Sequence, residues 1–529
     1  MNGPTATGPA WWDSALVAAY VPALVVLGAW ASRRQTHPED YFLASRGSRW
    51  LSIGLAMLAS NISSTALIGL AGFAYMTGIS VYDYEWSAAV VLVFFCLFLL
   101  PFVLASRVYT MPEFLERRYD ARARLYFAVL TLFLNITVDA AAALYSGSLV
   151  IQVLFPASPL WLTACVLAGA AGLYTLLGGL RAVIYTETVQ AAVLFVGASV
   201  IACAAFARAG GWHAAMSGVS PDKLSLIRPI GDAGVPWPGL LFGIPVLGFY
   251  YWCTNQFIVQ RVLSARSLED GRAGALFAGA LKLPILFLMV LPGTCAILLF
   301  PHLPRADLVY PALMFDLLPT GLLGVVAASF AAATMAAVAS TLNSASALLT
   351  MDIIRPAAPS LSDLQMVRIG RLTTAGLLLV ALLWAPHLET FRSLWQYLQA
   401  TLAYAVPPVV ALFLGGLFWR GANAAGAAAT MLVGTTCGFA LFLVNVVFQW
   451  VHVHFLYVAP LLLLIDLSVL VAVSRWTGGG SAQGKGLTWT AEYFRAESAG
   501  LRSVPLWRNY RLQAAVLLVL TACVVVAFR

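Results

Sequence analysis

Charged side chains are scarce in this chain of 529 residues: Asp, Glu, Lys and Arg make up only 10%, whereas 61% of the residues are hydrophobic. Ordinary soluble domains are about one quarter charged. A water-soluble fold of this length could not bury so much apolar surface. The composition therefore excludes a soluble globular protein and predicts a chain that lies in lipid.

Several chemical signatures are also missing. The seven cysteines form neither a C-x-x-C pair nor a zinc-binding spacing, so we interpret them as small apolar residues. The sequence has no P-loop and no obvious nucleophile–base pair. Long runs of Lys or Arg are absent despite a net charge of +8. We therefore expect no enzyme activity, no organic cofactor and no nucleic-acid partner.

The first apolar run lacks a basic segment before it, so we expect a retained helix and not a cleaved signal peptide.

What the chain has in abundance is long apolar runs. Runs of about 20 residues recur often enough to predict about fourteen membrane-spanning helices. Their approximate centres are Leu24, Gly69, Val91, Phe133, Ala168, Leu194, Leu247, Phe287, Met335, Leu378, Val409, Thr435, Leu464 and Leu517.

The basic residues set the expected orientation. With the N-terminus outside, most of the 30 Lys and Arg residues fall in loops on the inner side, as the positive-inside rule requires. Lys282 falls inside a span. The outer side holds only Arg208, Lys223, Arg228, Arg305, Arg392 and Arg529. We expect a multi-pass protein of the plasma (inner) membrane, surrounded by lipid.

Three ionisable residues lie at or near membrane depth, where they are costly and often functional. Lys282 is about 15 Å along a helix from Arg272, at 1.5 Å per residue. Glu85 lies at the outer end of its span and Glu187 at the inner end of another. For either glutamate, an interfacial carboxylate and a functional one are equally good interpretations, whereas a lysine in the middle of a span favours function.

Two spans contain segments that are poorly suited to a continuous helix. Residues 59–65 include Ser60, Asn61 and other small or polar side chains, and the segment Gly243-Ile244-Pro245 interrupts a later span. Irregular backbone at this depth is tolerated where it lines a cavity. Breaks at matching places in two halves are typical of inverted-repeat transporters with a site at the midplane. Kinked but intact helices are the alternative for either segment alone.

With these segments the chain resembles the sodium:solute symporter family, and within it the sodium–glucose cotransporter branch. The similar stretches run through nearly the whole sequence, and their order and spacing carry the resemblance. They include Asp40-Tyr41-Phe42-Leu43-Ala44, Ser60-Asn61-Ile62-Ser63, residues 178–186, Tyr251-Trp252-Cys253-Thr254-Asn255-Gln256, Leu342-Asn343-Ser344-Ala345-Ser346 and Thr350-Met351-Asp352-Ile353.

The resemblance implies an all-α membrane protein with a LeuT-like five-plus-five inverted-repeat core and broken helices. We expect a single polytopic domain over residues 1–529. Within it, residues 1–34 would form a peripheral first helix, 50–420 the repeat core and 421–529 peripheral C-terminal helices.

The resemblance also implies a site for a sugar or polyol. Asn61, Glu85, Lys282 and Gln399 match the polar residues of the family's sugar site, and together they offer both donors and acceptors for hydroxyl groups. Tyr251, followed by Trp252, matches an inner gate residue, and Tyr84 and Trp395 match an outer lid. Ala66, Ala88 and Gly248 replace polar pocket residues of the family, which favours a different or larger solute.

The cation site departs from the family pattern. Its carbonyl positions match Ala59, Ile62 and Ala333, but its two hydroxyl positions match Ala336 and Ala337. Alanine offers no side-chain oxygen, and hard cations need oxygen ligands. Ser340, one turn further in, and Glu187 could hold a displaced ion.

We therefore expect a secondary transporter of a small neutral polar solute, nominally coupled to sodium. Two alternatives stay open. One is a sodium-independent carrier, uncoupled or linked to protons through Glu187. The other is a solute sensor that binds without transport.

Overall fold

The computed structural model describes residues 11–31, 46–155, 158–390, 393–478 and 485–529. These residues form helices joined by turns and short loops, with no β-sheet among them. The helices of the first half are α1 Trp11–Ala31, α2 Trp50–Asn61, α3 Ser64–Thr77, α4 Ile79–Ala105, α5 Met111–Arg118, α6 Ala121–Gln152, α7 Leu160–Arg208, α8 Trp212–Gly218, α9 Gly239–Thr254 and α10 Gln256–Leu263.

The second half continues in the same manner. Its helices are α11 Leu268–Ala280, α12 Leu286–Leu299, α13 Val309–Leu317, α14 Leu322–Ala357, α15 Asp363–Glu389, α16 Leu394–Ala405, α17 Pro407–Phe418, α18 Ala424–Val447, α19 Phe455–Trp476, α20 Ala491–Leu501 and α21 Tyr510–Ala527.

Side-chain caps fix where several helices begin. Ser362 and Gln365 form a reciprocal capping box at the start of α15, which satisfies backbone donors that a helix leaves unpaired. Thr110, Asp120 and Ser267 accept backbone hydrogen bonds at the starts of α5, α6 and α11. These short polar residues define the ends of segments that are otherwise apolar.

The predicted break in the second span is present. The axes of α2 and α3 differ by 56° across the gap at residues 62–63, and Ile62 leaves the helical conformation with φ −79° and ψ 67°. Neither Ala59 nor Ile62 has a carbonyl that accepts a hydrogen bond within the described part of the chain.

The second break lies elsewhere than the sequence predicts. The helix continues through Gly243 and Pro245, because a π-helical turn at Gly239–Gly243 precedes the proline and accommodates its missing N–H. The chain leaves the helix at Asn255, with φ −62° and ψ 120°. The prediction of a break at Pro245 is therefore wrong in position, although the span is interrupted.

The described residues contain seven helices long and apolar enough to cross a membrane, or up to ten if each bent pair is one span. The backbone of α7 is continuous over 49 residues, where the sequence predicts two spans centred near Ala168 and Leu194. The all-helical membrane fold is confirmed, and the number fourteen stays a prediction. The side chain of Glu187 in α7, and the Asp40–Ala44 stretch, lie outside the described residues.

Glycines allow close contact between the helices around the centre. A Cβ on Gly274 of α11 would lie 2.7 Å from the Ile53 side chain of α2, and one on Gly147 of α6 would lie 2.4 Å from Thr334 of α14. Small residues of this kind let membrane helices pack backbone to backbone. The packing encloses α14, in which 89% of the apolar 18-residue stretch is buried inside the protein.

Candidate functional site

A cavity lies at the centre of the bundle, beside the break between α2 and α3. It has about 850 Å³ of space between its lining atoms, part of it continuous with solvent. All of the predicted solute-contacting residues except Lys282 line it: Asn61, Tyr84, Glu85, Tyr251, Trp252, Trp395 and Gln399.

Lys282 lies behind the cavity wall and contributes no surface to it. Its side chain is fully buried in the turn between α11 and α12. The ammonium lies 2.5 Å from the Glu85 carboxylate and also donates to the Asn61 amide oxygen. It is 5.0 Å from the centre of the Trp252 ring. The expectation that Lys282 itself faces the cavity is thus not met, since Lys282 holds two cavity residues in place from behind.

Asn61 connects the two halves of the site. Its amide nitrogen donates to the Tyr251 hydroxyl at 3.2 Å, while its oxygen accepts from Lys282. The Tyr251 ring meets Trp252 edge-on, with 5.2 Å between ring centres. The broken helix α2–α3 and helix α9 therefore meet through one polar contact at the cavity.

Tyr84 and Trp395 meet across the cavity edge. Their rings form an edge-to-face pair with centres 5.5 Å apart, and both side chains are buried. The Tyr84 hydroxyl and the Trp395 indole nitrogen have no hydrogen-bond partner among the described residues. Gln399, one turn further along α16, also makes no side-chain hydrogen bond in the described part of the chain. A buried polar group without a partner is costly, which applies to Tyr84 and Trp395, while Gln399 is half-buried at the cavity. All three groups are therefore open to a ligand.

The predicted cation positions lie next to this cavity. Ala59, Ile62, Ala333, Ala336, Ala337 and Ser340 are all buried. Of these, Ala337 lines the cavity. The structure does not describe the side chain of Glu187, so its part in this site stays a prediction.

The sequence prediction missed one ionisable residue. Asp139 lies on α6, within the π-helical turn Asn135–Ala140, and its side chain lines the cavity. The Asn255 side chain is the polar neighbour of its carboxylate. A carboxylate in the middle of an apolar span is the same signal that marks Lys282, and it could have found Asp139.

Comparisons with known proteins agree with this geometry. The model of the sodium:solute symporter family matches residues 41–434. The chain is 33% identical to sodium/glucose cotransporter 4 of Danio rerio, covering 88% of this chain and 78% of that protein. It is also 33% identical to sodium/myo-inositol cotransporter 2 of Mus musculus, covering 88% and 77%. Against the sodium/mannose cotransporter SLC5A10 of Bos taurus it is 33% identical, covering 90% and 89%.

A solved structure supports the fold independently. A Na+-coupled sialic acid symporter in a substrate-bound outward-open state superposes with a TM-score of 0.79, at 20% identity, over 89% of this chain and 98% of that one. At this identity the likeness concerns the fold. The family match and the relatives together give the assignment: this chain belongs to the sodium:solute symporter family, as a multi-pass membrane transporter and not an enzyme.

Proposed function

We propose that the protein carries a small neutral polyhydroxylated solute, a sugar or polyol, across the plasma membrane together with sodium, by alternating access. Its relatives, named as cotransporters of sodium with glucose, myo-inositol and mannose, support this solute class. The observation that carries the proposal is a set of polar groups around one cavity that have no hydrogen-bond partner among the described residues: the Tyr84 hydroxyl, the Trp395 indole and the Gln399 amide.

The chemistry of the cavity suits hydroxyl groups. The Glu85 carboxylate can only accept hydrogen bonds, the Trp395 indole can only donate, and the Gln399 amide does both. A polyol presents donors and acceptors at short spacing and can satisfy all three. The pair of Glu85 with Lys282 has no net charge, so this side of the cavity favours a neutral solute.

Two aromatic contacts would provide the gates. The Tyr84–Trp395 pair would cover the solute on the outer side, and Tyr251 with Trp252 would support it on the inner side. Because Asn61 bonds to Tyr251, inward release would require that contact to break. Alternating access would then consist of opening these two contacts in turn.

Sodium would use the break in the second span. The free carbonyls of Ala59 and Ile62 are suitable hard ligands, but Ala336 and Ala337 supply no side-chain oxygen. We infer weak sodium binding at that position. Either the ion lies further inward, near Ser340 and Glu187, or solute moves without sodium. The two alanines favour this sodium-independent carrier as the second candidate function.

A ligand screen and an exchange assay together test the proposal. Purified protein is melted with a panel of sugars and polyols, each in sodium and in choline buffer, and a stabilising solute is expected from this class. Radiolabelled solute is then followed in proteoliposomes by equilibrium counterflow. A carrier accumulates label transiently, whereas a sensor that only binds does not. Failure of every neutral polyol to stabilise the protein would overturn the solute class.

A further inference from the structure

Asp139 places a carboxyl group in the central cavity, and its charge when ionised is not balanced by the Glu85–Lys282 pair. The polar neighbour of its carboxyl group is Asn255, whose side-chain oxygen accepts from the Phe257 N–H at the start of α10. Among the ion pairs of the described residues, none includes Asp139. A carboxylate at membrane depth without a counter-charge is unfavourable. A cation at this place would remove that cost.

Helix packing places Asp139 beside the part of α14 that lacks hydroxyl ligands. Asn135 donates to the Ser344 hydroxyl at 3.1 Å, and Gly147 packs against Thr334. The two contacts fix α6 antiparallel to α14. Asp139 follows Asn135 by about one helical turn, which puts it level with Ser340 and Thr341 and about one turn from Ala337.

Thr341 supplies a second oxygen to the same cavity. Its side chain lines the cavity together with Asp139 and Ala337. The hydroxyl of Thr341 makes no side-chain hydrogen bond with the residues that the structure describes. A carboxylate and a free hydroxyl are both hard oxygen ligands. Asp139 also lies in a π-helical turn, a distortion that is frequent at functional sites.

We propose that the Asp139 carboxylate and the Thr341 hydroxyl form a subsite of the central cavity that binds a monovalent cation. The cation is either a sodium ion or a protonated amine carried by the solute, since both present a single positive charge to oxygen ligands. The proposal rests on the proposed function only in taking this cavity as the solute cavity. It assigns to Asp139 of α6 and Thr341 of α14 the oxygen ligands that Ala336 and Ala337 do not provide.

The test compares four proteins in nanodiscs: wild type, Asp139→Asn, Thr341→Val and Asp466→Asn. Asp466 is a matched control, because it is a buried carboxylate of α19 that does not line the cavity. One arm measures binding of 22Na+ displaced by unlabelled sodium. The other arm compares binding of D-glucosamine with that of neutral D-glucose in sodium-free buffer. Thermal unfolding of each variant reports whether it is folded.

A sodium subsite predicts that Asp139→Asn weakens 22Na+ binding by at least about tenfold, the range for a charged contact. Thr341→Val should weaken it less, and Asp466→Asn should not change it. An ammonium subsite predicts that wild type prefers glucosamine over glucose, that Asp139→Asn removes the preference, and that 22Na+ binding is unchanged.

The proposal is overturned if folded Asp139→Asn and Thr341→Val match Asp466→Asn in both arms. It is also overturned if wild type binds neither 22Na+ nor glucosamine in preference to glucose. If Asp139→Asn does not fold, Thr341→Val alone decides between these outcomes. Failure of glucose and of every other neutral polyol to bind wild type would instead count against the proposed solute class, because the 22Na+ arm needs no solute.

Discussion

The Lys282 ammonium lies 2.5 Å from the Glu85 carboxylate, and the lysine is completely buried while the glutamate lines the cavity. One charge of the pair is therefore available to a solute and the other is not. The lysine orients Glu85 and Asn61 from behind, and its own donors are used within the protein. This division of roles makes the two residues unequal in their response to mutation.

Lys282→Met is expected to be more damaging than the double variant Lys282→Met/Glu85→Gln. Removing one partner of a buried ion pair leaves an uncompensated charge and costs about 3–5 kcal/mol, whereas removing both avoids that charge. Thermal unfolding and solute binding of the single and double variants measure the difference. Lys223→Met, in the loop that follows α8, is the control. Equal losses in the single and double variants would show that the pair is not coupled.

Gln399→Ala should weaken solute binding by about 1–3 kcal/mol, the cost of leaving polar groups on a ligand unpaired. Its melting temperature without solute should not change, because the Gln399 side chain makes no hydrogen bond with the described residues. Glu85→Ala should lose solute binding to a similar extent. It should also melt at a lower temperature, because the buried Lys282 ammonium loses its ion-pair partner. Isothermal titration with the solute found by the screen checks both. Normal binding by both variants would refute the site.

Gly69→Ala should disturb the outer aromatic pair. A Cβ at Gly69 would lie 2.9 Å from the Trp395 ring, so the ring must move and its contact with Tyr84 must loosen. We expect weaker solute binding and altered tryptophan fluorescence. Gly376→Ala is the matched control: nothing lies within 4 Å of its Cβ position, and alanine favours a helix by about 1 kcal/mol. Equal solute binding and equal tryptophan fluorescence in the two variants would contradict the close contact between Gly69 and the Trp395 ring.

Stability should depend on pH through Glu497 of helix α20. Burial opposes its ionisation, but hydrogen bonds from Tyr510 and Arg511 and the charge of Arg272 hold its pKa below the ordinary value. A depressed carboxyl pKa stabilises the fold above the unfolded value of about 4.3 and loses that contribution as the pH falls. Glu497→Gln should thus lower the melting temperature at pH 7 and make less difference at acid pH.

Exposed Glu492 of the same helix supplies the control for that experiment. Glu492→Gln should melt like wild type at both pH values. A Glu497→Gln deficit that is the same at pH 7 and at pH 4 would show that the charge of Glu497 does not stabilise the fold.

Much of the fold and of the site could be predicted because polar residues in lipid are conspicuous. The cost of Asn61 and Glu85 among apolar neighbours pointed to an internal cavity, and the structure brings both to one. Lys282 was found in the same way, but its position behind the wall depends on the turn between α11 and α12, which apolar periodicity does not reveal. Asp139 satisfied the same criterion and was missed.

The helix breaks show a second limit of the sequence. Pro245 looked like the interruption of its span, yet a π-helical turn absorbs it and Asn255 breaks the helix instead. Proline marks a missing N–H donor, but whether the helix ends there depends on how the preceding turn adapts. The residues of α7 contain two apolar runs within one continuous helix, so the number of runs did not give the number of helices.

The central claim, uptake of a neutral polyol through this cavity with a sodium site weakened by Ala336 and Ala337, is tested most directly by transport into proteoliposomes. Uptake of the radiolabelled solute is measured at fixed pH with an inward sodium gradient and with choline in its place, in wild type and in Ala336→Ser/Ala337→Ser. The account predicts weak sodium dependence in wild type and stronger dependence in the double serine variant, because the hydroxyls complete the oxygen ligands. Wild-type uptake that already depends steeply on sodium, with no gain from the serines, would contradict the inference that the alanines weaken the site. Absence of uptake under every condition would contradict the claim itself.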